Sequence, residues 1–221
     1  MFDRIAPIYD LMNTLMTAGL DARWRRAAAR AARLTPGMRA LDVACGTGKL
    51  TRELAGAVGP DGEAIGVDVS RAMLGRAEAA GPSRGAEPRY AIADALAMPF
   101  ESDRFDAVTV AFGLRNMPDY AAALREMARV ALPGGRIVVL EIGVPATGAA
   151  RALYETWFRH GVPLLGRLAR RSDAYRYLPP SVARYPDPDG IAELMRAAGL
   201  HGVRWVRLTG GFVTLHRALK V

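Results

Sequence analysis

The sequence predicts an α/β fold in which a mostly parallel sheet carries helices on both faces. Three observations point there. Short apolar stretches alternate with amphipathic ones from Arg39 onward, a Gly-rich turn separates the first such strand from the helix after it, and acidic residues close successive strands. Parallel neighbours need a crossover, and the intervening segments are long enough to supply one.

Leu20 to Leu34 reads as an Arg/Ala-rich amphipathic helix, stopped by Thr35-Pro36-Gly37. Arg39 to Ala44 is the first strand, and Thr51 to Val58 is the helix beyond its Gly turn. Gly59-Pro60-Asp61-Gly62 is a turn, and Glu63 to Val69 is a short buried strand containing an acid near its end. The unit then repeats in kind: Arg71 to Ala80 as helix, Pro88 to Ala93 and Phe105 to Phe112 as strands, Tyr120 to Leu132 as helix, Arg136 to Ile142 as strand. In the tail, Pro188 to Ala198 is a helix, and Gly202 to Leu208 and Gly211 to Leu219 are strands joined by Thr209-Gly210, a hairpin signature.

One segment fits neither pattern. Between Ala149 and Pro186 stand the aromatics Tyr154, Trp157, Phe158, Tyr175 and Tyr177 and the basic cluster Arg167, Arg170 and Arg171, read as a helical insertion covering one end of the sheet. Ligands in such sheets bind beyond the carboxyl ends of the strands, so a cap there closes the site. The chain then divides into N-terminal lid helices (1–35), a core (36–146), the cap (147–186) and a terminal helix with its strand hairpin (187–221), all within a single domain.

Composition agrees with one domain, because 221 residues with 51% hydrophobic side chains bury one substantial core. Cys45 is the only cysteine, which excludes an internal disulfide and a Cys-based zinc site and suits a reducing compartment. No apolar run approaches the ~18 residues of a spanning helix, and MFDRIAPIYD lacks a signal-peptide core, so a cytoplasmic placement is expected. The net charge of +8 is nearly all arginine, Lys49 and Lys220 being the only lysines. It reads either as compositional bias or as affinity for an anionic partner.

The chemistry-bearing residues cluster at strand ends. Asp42-Val43-Ala44-Cys45-Gly46-Thr47-Gly48 turns the first strand into a helix, and Gly46 and Gly48 let the backbone approach a ligand without Cβ obstruction. A dinucleotide fingerprint wants a third glycine where Thr51 stands, which disfavours NAD. Asp68, followed by Val69, ends the second strand where an acid accepts hydrogen bonds from a ribose diol. Asp94-Ala95 follows the third strand, where an acid beside an apolar residue suits an adenine amino group and ring. Each acid alone reads equally well as a helix cap.

LDVACGTGKL, GVDVSRAML, ADALAMPFESDRFDAVTVAFGLRNMPDY and RVALPGGRIVVLE together resemble class I methyltransferases that use S-adenosylmethionine (SAM). FGLRN at Phe112 to Asn116 narrows the resemblance to the ubiquinone/menaquinone C-methyltransferases, as do FDRIAPIYDLMN, SDAYRYLPPSV and LTGGFVTLHRALK elsewhere in the chain. The resemblance implies a Rossmann-like, seven-stranded sheet with an antiparallel last strand. It implies SAM as cofactor, contacted by Thr47, Asp68, Asp94 and Ala95; Asp42, Gly46, Gly48, Val69, Ala111 and Phe112 complete the expected cofactor-binding set. Lys49, where family members often carry an acid, and Ala111, where some carry Ser, depart from the pattern.

The acceptor the resemblance implies is a ring carbon of a prenylated hydroquinone, demethylmenaquinol being methylated to menaquinol, in menaquinone or ubiquinone biosynthesis. Deprotonating the neighbouring hydroxyl pushes electron density onto that carbon, and the displacement needs positioning and water exclusion more than acid catalysis. No metal is needed. Arg115 and Asn116, beyond the fourth strand, are expected to point into the cleft, Arg115 lowering the hydroxyl's pKa by its charge. Tyr9 and Asp10, in the lid, are expected over the cofactor or quinol, with a hydrophobic staple and cap as their structural reading. His216, in a terminal strand, reads as a structural donor more readily than as a base.

The apolar Leu153, Trp157, Phe158, Val162, Leu164, Leu165 and Leu168 offer a place for an isoprenoid tail, with nearby arginines against an anionic membrane surface; the plainer reading is the core of the cap. A homodimer is entertained as a further assembly. Two other functions stay in view: a C- or O-methyltransferase of another small aromatic metabolite, and a non-catalytic SAM-binding component of a quinone-biosynthesis assembly. A nucleic-acid partner is not expected, since FGLRN stands where a base-flipping (N/D)PP(Y/F) motif belongs.

Overall fold

In the computed structural model, residues 10–81, 85–161, 181–182 and 184–221 are described. Seven strands, β1 (Arg39–Val43), β2 (Glu63–Asp68), β3 (Arg89–Ile92), β4 (Phe105–Ala111), β5 (Ala131–Ile142), β6 (Leu200–Leu208) and β7 (Val213–Lys220), form one sheet in the order β3-β2-β1-β4-β5-β7-β6. β1 to β5 pair in parallel, while β7 pairs antiparallel with both β5 and β6, so the last strand alone runs against the rest. The chain builds outward from β1 to β3 and then crosses back to β4. This reversal opens a crevice at the carboxyl ends of β1 and β4, where α/β sheets bind ligands.

Helices α1 (Leu20–Ala32) and α2 (Lys49–Val58) belong to one face; α4 (Tyr120–Val130) and α6 (Pro188–Ala197) cover the other, and α3 (Arg71–Ala79) packs beside β2 and β3. Successive strand residues point to opposite faces, so Ala40, Ala107, Val138 and Leu140 pack under α1 and α2 while Leu41, Val108, Ile137 and Val139 pack under α4 and α6. Both faces are covered, which is why these strands read as continuous apolar runs. Along α1 the buried stripe is Trp24, Ala28 and Ala32, and its small side chains bring that helix close to the sheet. Ser70, Asp119 and Asp187 cap α3, α4 and α6 by accepting hydrogen bonds from the Met73, Ala122 and Gly190 amides.

Three boundaries differ from expectation. Helix α4 ends at Val130 because Ala131 already pairs with Phe105; β5 then bulges through Leu132-Pro133-Gly134-Gly135 before pairing resumes at Arg136 with Ala107. A bulge accommodates Pro133, which has no N–H for a ladder. β6 begins at Leu200, and Gly211, expected in the last strand, lies in the Thr209–Gly211 turn with φ +101°. In the expected cap, the described part is α5 (Gly148–Thr156) and a π-helical turn, Trp157–Gly161. Val162, Leu164, Leu165, Arg167, Leu168, Arg170, Arg171, Tyr175 and Tyr177 lie outside the described residues, as does Tyr9. Among the described residues no helix is long and apolar enough to cross a membrane.

Candidate active site

The Gly turn is built from left-handed backbone: Ala44 (φ +52°), Gly46 (φ +57°) and Gly48 (φ +72°). The Cys45 amide donates to the Val67 carbonyl at 2.9 Å, tying the turn to β2. The two glycines do different things. A Cβ on Gly46 would meet no protein atom within 4 Å, so that position opens onto empty space; one on Gly48 would lie 2.8 Å from carbons of the Tyr90 ring, so that position packs.

Asp42 sits beneath the turn, where its two carboxyl oxygens accept from the Thr51 hydroxyl at 2.7 Å and the Thr109 hydroxyl at 3.1 Å. Burial pushes its pKa up to about 7 against the opposing pull of those hydroxyls and of Arg25. Asp68, at the end of β2, accepts from the Gly46 amide at 2.8 Å through one oxygen and the Ser70 amide at 2.9 Å through the other. Asp94 accepts from the Leu96 amide at 2.9 Å, which folds the chain after β3 into a tight turn with Ala95 buried inside it.

These strand ends line an open cavity at the crevice where α/β sheets bind ligands. Asp42, Gly46, Thr47, Asp68, Val69, Asp94, Ala95, Ala111, Phe112 and Asn116 all line it, so most residues singled out from the sequence converge on one wall. Gly48 does not line it and serves the turn's packing instead.

Arg115 corrects an expectation. Its side chain is 5% exposed, it is absent from the cavity wall, and its Nη1 donates to Glu141 Oε1 at 2.5 Å and to the Phe112 carbonyl at 2.6 Å. Glu141 is fully buried and also accepts the Arg115 and Ile142 amides. Phe112 has φ +60°, a conformation unfavourable for a bulky residue; its amide donates to the Leu140 carbonyl, and its carbonyl accepts from Arg115 and, at 3.5 Å, from Asn116 Nδ2. The guanidinium thus fastens the turn from behind while Asn116 remains exposed at the cavity. Glu141 was missed in the sequence, although it carries the same signal as Asp42 and Asp68, an acid at the end of an apolar strand.

The opposite rim is charged. Lys49 is the first residue of α2, and α2 has no acid in its first turn, so this cation stands at the positive end of a helix dipole. Its Nζ lies 3.3 Å from Asp10 Oδ1 and 3.5 Å from Asp21 Oδ2. Asp10 Oδ1 also accepts from the Thr47 hydroxyl at 2.9 Å, joining the N-terminal segment to the Gly turn. Asp21 in turn holds Arg25 at 2.6 Å, and the Arg25 guanidinium lies 5.3 Å from the centre of the Phe112 ring. Among the described residues that line the cavity, Arg25 and Lys49 are the two cations.

His216 is remote from this wall. It is fully buried, its Nε2 lies 2.9 Å from the Pro188 carbonyl and so carries the proton it donates there, and burial lowers its pKa. Among the described residues no cluster of three or more His, Cys, Asp or Glu is placed to hold a metal ion.

A model of the ubiE/COQ5 methyltransferase family matches residues 1–220. A demethylmenaquinone methyltransferase from Thermus thermophilus is 46% identical over 98% of this chain and 98% of its own. A ubiquinone/menaquinone biosynthesis C-methyltransferase UbiE from Ectopseudomonas mendocina is 40% identical over 100% of this chain and 87% of its own. Among solved structures, a SAM-dependent methyltransferase from Thermotoga maritima has TM-score 0.68 at 19% identity, covering 100% of this chain and 98% of that one. The [4+2]-cyclase SpnF has TM-score 0.67 at 21% identity, covering 90% and 81%. Likeness at that distance speaks for the fold alone, which hosts more than one chemistry. The match over the whole length decides the matter: the chain belongs to the ubiE/COQ5 methyltransferase family and is a SAM-dependent enzyme.

Proposed function

We propose that the protein methylates a ring carbon of a reduced demethylmenaquinone, a prenylated naphthoquinol, to give menaquinol. The observation that carries this reading is the full-length match to a demethylmenaquinone methyltransferase.

The residues at the cavity fit SAM. Asp68 lines the cavity at the end of β2, with its carboxylate oriented by the Gly46 and Ser70 amides, the position from which an acid accepts hydrogen bonds from a ribose diol. Val69, 66% exposed at the cavity, and buried Ala95 offer apolar surface to an adenine ring, with Asp94 beside them for its amino group. The open space at Gly46 leaves the backbone approachable. Bound there, SAM supplies an electrophilic methyl group on a sulfonium.

The acceptor must lose its hydroxyl proton to make the ortho carbon nucleophilic. Asn116, exposed at the wall, is assigned to hydrogen-bond that oxygen. Arg115, neutralised by Glu141, is assigned to position the Phe112–Asn116 turn rather than to act as a free charge. Tyr9, adjacent in sequence to Asp10, is assigned a role toward the acceptor on the family resemblance alone. After the carbon gains the methyl, its ring proton leaves and aromaticity returns, so each turnover releases one proton.

The reading includes peripheral contact with an anionic inner-membrane face from the cytoplasmic side, since the acceptor's tail is lipid-soluble. The net charge of +8 and the exposed Leu11, Leu15 and Leu153 support it. Incubation with SAM and reduced demethylmenaquinone should add one ring methyl by mass spectrometry. Product from a prenylated benzoquinol alone would reassign the acceptor, and no product from any prenylated quinol would overturn the proposal.

A further inference from the structure

We propose that Lys49 anchors the carboxylate at the amino-acid end of SAM, making it a specificity-determining residue of this chain. The inference rests on SAM as the cofactor.

Among the described residues lining the cavity, Asp42, Asp68 and Asp94 stand at or just beyond the ends of β1, β2 and β3, whereas Arg25 on α1 and Lys49 at the start of α2 face it across the Gly turn, next to Asp10 and Asp21. A nucleoside whose ribose sits at Asp68 and whose base lies toward Ala95 therefore directs its remaining substituent over Gly46 toward the cations. SAM carries there an α-carboxylate and an α-ammonium.

Of the two cations, Lys49 is the available one. Arg25 is committed: its side chain is 9% exposed, its Nη1 is 2.6 Å from Asp21, and its guanidinium carbon lies over the Phe112 ring. Lys49 is 27% exposed at its side chain, and its ammonium keeps longer contacts, 3.3 Å and 3.5 Å, to two carboxylates. An ammonium has three protons, so a third carboxylate completes its set. Asp10, 40% exposed at its side chain, lies beside it and is placed to take the cofactor's ammonium when the carboxylate arrives.

The rival account makes Lys49 only a strut between the N-terminal segment and α2. A strut and an anchor respond differently to a ligand that lacks the carboxylate. The test is calorimetric binding of S-adenosylhomocysteine and of its decarboxylated analogue, which keeps the nucleoside, sulfur and amine, to wild type, Lys49→Met and Lys49→Gln. The Gln variant retains an amide to bridge Asp10 and Asp21 and so guards against loss of folding. We expect S-adenosylhomocysteine to bind about tenfold or more weakly to both variants, the decarboxylated analogue to bind as in wild type or more tightly, and Lys49→Arg to recover most of the loss. Equal weakening of both ligands, or no weakening of S-adenosylhomocysteine, overturns the anchor. Failure of wild type to bind either ligand or SAM strikes the cofactor itself instead.

Discussion

Arg115 and Glu141 form an ion pair at 2.5 Å, sealed between the turn after β4 and the end of β5. Neither residue lines the cavity, yet Arg115 also holds the carbonyl of Phe112, which does line it. A charge that looks catalytic in sequence thus works as the rivet of a strained turn. Tyr185 is half-buried near the pair with its hydroxyl out of solvent, and desolvation and the Glu141 charge both push its phenol pKa upward, so it stays neutral.

Removing one partner of this pair leaves the other charge buried. Glu141→Gln and Arg115→Met should each lower unfolding stability by about 3–5 kcal/mol. The double variant Arg115→Met/Glu141→Leu should recover much of that stability and remain nearly inactive, because the Phe112 carbonyl has lost its close donor and keeps only the 3.5 Å contact from Asn116. Urea denaturation with a turnover assay reads both; a double variant with wild-type activity would show that the turn needs no rivet.

The two turn glycines should separate stability from affinity. Alanine at either position meets a left-handed backbone costing about 1–2 kcal/mol, and at Gly48 it also collides with the Tyr90 ring. Gly48→Ala should therefore be the less stable variant. Gly46→Ala, projecting into the open cavity, should lose the larger share of affinity for S-adenosylhomocysteine. Thermal melts and calorimetry on the same samples check the ordering.

Asp68→Ala should weaken the same ligand by about 10- to 100-fold, the range for hydrogen bonds to a charged group. Part of that loss comes from the Gly46 amide, which Asp68 now holds. Asp68→Asn should fall between the two, since it keeps one acceptor oxygen. A weakening below threefold for the alanine variant would contradict a ribose contact.

Two buried groups should tilt the pH–stability curve in opposite directions. Asp42 has its pKa raised to about 7 by burial, against 3.8 in the unfolded chain, so its contribution is fully present below pH 3.8 and lost as pH rises through about 7. Asp42→Asn should flatten the loss on the alkaline side. His216 has its pKa lowered from 6.5, so its contribution is present above pH 6.5 and lost as pH falls below it toward the depressed value. His216→Gln should flatten the acid side while leaving turnover largely intact. Denaturation series from pH 5 to 8 on the three proteins test the signs, and a catalytic defect in His216→Gln would return that residue to the mechanism.

Much of this molecule was legible before any coordinates. Short apolar runs, Pro/Gly punctuation and acids at strand ends identified seven strands to within a few residues, apart from the start of β5, because those signals are local and both sheet faces are buried. The bulge at Leu132-Pro133-Gly134-Gly135 was not legible, since a register shift depends on Phe105 in another strand. The same division runs through the site. Asp68, Asp94 and the Gly turn announce themselves by position in a strand-turn-helix unit, and they do line one cavity.

The direction of Arg115 and the surroundings of Lys49 were settled otherwise. Glu141 lies 26 residues from Arg115, and Asp10 and Asp21 lie 39 and 28 residues from Lys49, so their pairings exist only once β5 and α1 have packed. The sequence by itself determined the elements, their order and which residue types reach the carboxyl ends of the strands, through local backbone preference and hydrophobic periodicity. Tertiary structure alone decided which charges face the cavity and which are spent against one another. Electrostatic partners are chosen by distance and burial in space, and neither is written in the spacing of residues along the chain.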